Sequence, residues 1–162
     1  MHPKISNIIL GIIILLGISG LIMTRHNSPV SDIQTESIVR NQVTQFGESL
    51  KMVSILAPTT TVSKTMDESY ASFVAPELLA KWKNDPMHSP GRLTSSPSPD
   101  RIEIYSVVKK NNDEYAVNGR VIETSSTDQP GSNSGSYPVN IVLESRNNAW
   151  LITSFAGYPP SN

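Results

Sequence analysis

"MHSPGRLTSSPSPDRIEIYSVVKK", residues 87–110, is where the chain changes its period. Prolines at 86, 90, 97 and 99 hold the residues before them in extended conformations, so the segment up to Asp100 reads as a stiff connector. Upstream, apolar residues recur at every third or fourth position. From "RIEIYSVVKK" onward they recur at every second. The first spacing marks one face of a helix and the second marks one face of a strand. Helices followed by antiparallel strands predict the α+β class, with helices packed on one face of a sheet. The connector is also rich in serine (Ser89, Ser95, Ser96, Ser98), but a serine nucleophile needs a base and an oxyanion hole, and no GxSxG motif is present. Its reading is architectural: it aims the first strand and covers an end of the core. Asp100, Arg101 and Arg92 are placed to lock it by charge-assisted hydrogen bonds.

On the helical side, Ser31 reads as an N-cap, with Gln34 completing a capping box. Val39, Val43, Phe46, Leu50 and Val53 follow as one apolar stripe. Gly47 weakens that helix by roughly 1 kcal/mol relative to alanine and lets another element come close. Pro58 and the threonines of "TTT" end the segment. A second helical region covers about residues 62–84, with Met66, Tyr70, Phe73 and Val74 on one face. Within it Pro76 and Glu77 restart a short helix, "ELLAKWKN". Lys81 and Lys83 suit its last turn, and Pro86 stops it.

On the strand side, "RIEIYSVVKK" and "EYAVNGRVIETSS" form a hairpin around Asn111-Asn112-Asp113. "YPVNIVLES" and "AWLITSFAGY" form another around Arg146-Asn147-Asn148, after a polar loop at 126–136. Blurred alternation in "YSVVKK" fits a curved sheet with one covered face.

The chain has 162 residues, no cysteine and a net charge of −1. Disulfides, thiolate metal sites and a cysteine nucleophile are excluded. Beyond residue 31 acids outnumber bases by 14 to 11, the wrong balance for a nucleic-acid binder. Residues 5–23, "ISNIILGIIILLGISGLIM", carry no charge and as a helix reach about 28 Å, the thickness of a bilayer's hydrocarbon. They read as an uncleaved transmembrane anchor, the alternative being a cleaved signal with secretion of the domain. The expected layout is an N-terminal tail (1–4), the anchor (5–23), a linker (24–31), a domain (32–158) and a C-terminal tail (159–162). Lys4 and Arg25 flank the anchor almost evenly, so the exported orientation of the domain is an expectation.

The helix, two shorter helices and curved four-stranded sheet resemble the NTF2-like (cystatin-like) superfamily. "ELLAKW", the join "PGRLTSSPSPDRIEI", "YAVNGRVIE", "YPVNIVLE" and "WLITSF" are similar to one set within it, over roughly residues 33–157. That set comprises membrane-anchored or exported proteins of Gram-positive bacteria with no assigned function. The resemblance implies a ligand-sized cone between helices and sheet. The superfamily's enzymes use an Asp–His or Asp–Tyr pair there, and no such pair matches in this chain.

His2 and His26 flank the anchor, leaving His88 in a polar loop, too few histidines for a metal site. No cofactor is expected. The candidates for a pocket are Tyr70, Trp82, Tyr105, Tyr115 and Arg120, with Trp150 and Glu123 as further possibilities; aromatics at these spacings also make plain core. Arg120 and Glu123 have opposite strand parity and point to different faces. The expected function is an extracytoplasmic binding or assembly module at the bacterial membrane, without catalysis of its own. Its expected contacts are the bilayer through residues 5–23, envelope proteins, and self-association through the sheet. The alternatives are a small-molecule binder or isomerase-like enzyme, and a component of a secretion or conjugation apparatus.

Overall fold

The computed structural model describes residues 29–129 and 132–157. The expected anchor at 5–23, the tails and the last residue of the expected domain lie outside them. Among the described residues no helix is long and apolar enough to cross a membrane.

Among the described residues, three α-helices, α1 (Pro29–Ser49), α2 (Thr59–Tyr70) and α3 (Pro76–Asn84), precede four strands, β1 (Ser98–Asn111), β2 (Glu114–Thr124), β3 (Gly135–Arg146) and β4 (Ala149–Ala156). The strands form one antiparallel sheet in the order β1-β2-β3-β4. Register shifts interrupt β1–β2 at three points and β3–β4 at one, and bulges of this kind bend a sheet. The α+β class and the helix-then-sheet order stand as read.

The boundaries correct the sequence reading in several places. α1 begins at Pro29, so Ser31 lies inside the helix rather than capping it, and its carbonyl accepts the Thr35 hydroxyl at 2.8 Å. Proline at a first helical position forfeits no bond, which is why the helix starts within the expected linker. α1 ends at Ser49; a 3-10 turn, Leu50–Met52, follows, and Val53 is extended rather than helical. The "TTT" run opens α2 instead of ending a segment. The Pro58 carbonyl accepts the amides of Thr61 and Val62, and burial of Val62, Met66 and Tyr70 outweighs the poor helix propensity of threonine. Phe73 and Val74 lie past the end of α2. There Val74 makes a parallel bridge to Ile152 of β4.

The core lies between the helices and one face of the sheet. Val39, Val43 and Phe46 of α1 and Leu50 of the 3-10 turn are fully buried against Tyr115, Val117 and Val121 of β2 and Tyr137, Val139, Ile141 and Leu143 of β3. α1 crosses β1 at Gly47, where an added Cβ would lie 2.6 Å from the Ile102 amide nitrogen. Only glycine permits that approach.

Candidate functional site

The helix-facing side of the sheet is occupied by side chains. Phe46 stacks on Trp82 with centroids 6.2 Å apart and meets Tyr70 edge-on at 5.2 Å and Phe155 at 5.9 Å. Tyr70 is fully buried, its hydroxyl donates to the Pro90 carbonyl at 2.9 Å, and burial holds its pKa well above the ordinary tyrosine value. Tyr115 is 2% exposed and packs edge-on against Trp150 at 5.2 Å, and burial raises its pKa too. Three of the five pocket candidates, Tyr70, Trp82 and Tyr115, are buried in the core, where Trp82 also forms part of a groove beside β4 and Tyr115 part of a cleft beside Asp32 and Lys109. Their aromatic edges fill the space that the resemblance assigned to a cone.

The other two candidates meet on the opposite face. Tyr105 is 61% exposed at the register shift between Ile104 and Ser106, and the Arg120 guanidinium lies 5.7 Å from its ring centroid. A bulge re-aims a side chain in this way, and a guanidinium over a ring is attracted by the ring's quadrupole. Arg120 also donates from Nε and Nη2 to Glu103 Oε2, at 3.0 and 2.8 Å. Arg101 holds the other Glu103 oxygen at 2.8 Å and reaches Asp100 at 2.9 Å. The bonds from Arg120 and then Arg101 hold the Glu103 carboxyl below the usual range, and the bond from Glu103 raises Arg120.

Strand register extends this cluster into rows of side chains that point away from the helices. Glu103, Arg120 and Pro138 form one row. Ser106, Asn118, Asn140 and Ala156 form the next, in which Asn118 donates to the Ser106 hydroxyl at 3.0 Å. Val108, Ala116, Val142 and Ser154 make a third, and Glu114, Glu144 and Leu151 a fourth. Glu114 faces Glu144 directly, an unfavourable like-charge pair that Arg146 relieves with bonds to Glu144 at 2.9 and 3.2 Å and an ion pair to Glu77. The centre of the face is thus small and uncharged, and its ends carry internally paired charges. Tyrosine and arginine are residue types enriched at protein interfaces, and here they stand together at one border of this face.

Sequence reading named Tyr105 and Arg120 but missed Asn118, Asn140, Ala116 and Val142. Their signal was legible in the alternation: within β2 and β3 the small and polar residues occupy every second place between the buried ones. Glu123 takes the helix-facing parity with Val121 and Tyr137, opposite to Arg120 as expected. It is partly buried at the rim, and desolvation raises its pKa.

No family model matches the chain and no curated protein matches it. Among solved structures it is similar to an NTF2-like protein of unknown function from Shewanella oneidensis, with 13% identity over 76% of this chain and 98% of that one, at a TM-score of 0.44. It is also similar to a protein of unknown function with a cystatin-like fold from Nostoc punctiforme, with 13% identity over 79% and 90% of the two chains, at a TM-score of 0.40. The α+β assignment rests on element order and strand register rather than on these likenesses.

Proposed function

We propose that this protein is a non-catalytic binding or assembly module, tethered to a bacterial membrane by residues 5–23, with its domain on the extracytoplasmic side. In this reading it is one of the membrane-anchored or exported Gram-positive proteins that the sequence resembles. It meets an envelope protein, or a second copy of itself, through the outer sheet face around Tyr105, Arg120 and the Asn118–Asn140 row. One observation carries the reading: the aromatic side chains that would have lined a ligand cone are packed together as core, while the exposed tyrosine and its arginine sit on the sheet face turned away from the helices. Photo-crosslinking in intact cells tests it, with a photoreactive residue at position 105 or 118 and, as control, at exposed position 44 on α1. The expected result is a discrete crosslinked species from 105 and 118 and none from 44. Crosslinks from 44 alone would overturn it.

A second reading, a small-molecule binder or isomerase-like enzyme, is favoured by Glu123, a partly buried carboxyl with a raised pKa on the same side of the sheet as Tyr137. The two readings part over Glu123→Gln: the module keeps its crosslinks, whereas a binding site built on Glu123 would lose its ligand.

A further inference from the structure

Two strands border the sheet, and they are guarded differently. β1 carries Pro99, Arg101, Glu103, Lys109 and Lys110, and its ladder is broken by three register shifts. Prolines, charges and bulges are the usual protection of a sheet edge. β4, "AWLITSFA", has no charge and no proline, and its single register shift falls at Thr153. Its outer edge is used by the chain's own backbone around Ile152. The Ile152 amide donates to the Phe73 carbonyl at 2.8 Å, and the Ala75 amide donates to the Ile152 carbonyl at 2.9 Å. That pairing stops at Pro76, which has no N–H and opens α3. Among the described residues, 153–156 make no backbone bond on this side.

Beside these residues runs a groove of about 290 Å³ between α3 and β4, with Leu78, Trp82 and Phe155 as apolar lining, Lys81 as a cation, and Glu77 and His88 also at its walls. The neighbouring charges are spoken for: Glu77 pairs with Arg146, Lys83 with Asp67 and Asp85 with His88. Lys81 has no ion pair or side-chain hydrogen bond among the described residues. An unpaired edge, a groove of mixed polar and apolar lining, and a lysine without an ion pair adjoin one another.

We propose that this strip takes an extended acidic peptide segment of another protein, added beside β4 as a further strand. Backbone bonds to residues 153–156 hold it, alternate side chains enter the groove, and a carboxylate meets Lys81. Main-chain pairing supplies affinity in strand addition, and pockets for every second side chain supply specificity. The strip shares Ser154 and Ala156 with the border of the outer sheet face but not Tyr105, Arg120 or Asn118, so this inference does not depend on the proposed function.

The test uses the full chain in detergent micelles and a fluorescein-labelled peptide of alternating valine and glutamate, read by anisotropy and by hydrogen exchange. The expected result is saturable binding, slowed exchange of the 153–156 amides, and affinity lowered about tenfold by Lys81→Glu. The same peptide N-methylated at alternate amides should not bind. Lack of saturable binding, unchanged affinity of the Lys81→Glu variant, or protection falling on β1 instead would overturn it. So would equal binding of the valine–lysine counterpart.

Discussion

Tyr70 joins three parts of the molecule. It leaves the end of α2, packs edge-on against Phe46 of α1 and Trp82 of α3, and gives its hydroxyl proton to Pro90 in the connector. Tyr70→Phe keeps the packing and strands the Pro90 carbonyl. It should lower unfolding free energy by about 1 kcal/mol in urea titration. Glu123 predicts a pH effect of definite sign. Its folded-state pKa is raised, so the ionised carboxylate costs stability at neutral pH, and that cost disappears as pH falls below the unfolded value of about 4.3. Glu123→Gln should therefore raise the melting temperature at pH 7 and leave it unchanged at pH 3. Glu103 has the opposite sign: its pKa is lowered, so its contribution is present at neutral pH and is lost in acid. At this scale the sequence named the right residue types without distinguishing burial from display. Tyr105 and Tyr115 both look like strand aromatics, and only the bulge between Ile104 and Ser106 settles which face Tyr105 and the residues after it occupy.

Among the elements, the connector performs the architectural role read from its prolines, by other bonds than those expected. Arg101 does reach Asp100, its sequence neighbour, and Lys51 adds a pair at 3.8 Å. Backbone bonds also tie it to the residues after α1: the Arg92 amide donates to the Val53 carbonyl at 2.8 Å, and the Ile55 amide donates to the Arg92 carbonyl at 3.0 Å. Asp100→Ala should accordingly cost less than about 1 kcal/mol, since exposed ion pairs contribute little. The β3–β4 turn was legible at Asn147 and Asn148, whereas Arg146, read as part of the turn, is the last residue of β3 and pairs with Ala149. Asn147 and Asn148 both take positive φ, 51° and 65°, which a two-residue hairpin turn requires and asparagine tolerates. Asn147→Ala should lower stability by about 1 kcal/mol, and Asn148→Gly should not, as thermal melts of the two variants will show. The α2 start was misread because "TTT" after proline suggests a breaker locally, and only the burial of Val62, Met66 and Tyr70 two turns deep reveals a helix.

Over the whole molecule, the change of period at the connector was enough to give the class and the element order. It was not enough to show whether helices and sheet enclose a space. That depends on side chains brought together from Phe46, Tyr70, Trp82 and Phe155, four separate stretches of chain with no common spacing. Once they meet, the inner face is packed with side chains, and the proposed contacts lie on the outer face and the β4 edge. Xenon occupies apolar cavities and leaves packed interiors empty, so diffraction from a crystal of the domain under xenon pressure is the most direct test. We predict no xenon between α1 and the sheet. A xenon atom bound among Phe46, Tyr70 and Trp82 would contradict a filled interior and return the function to a ligand cavity.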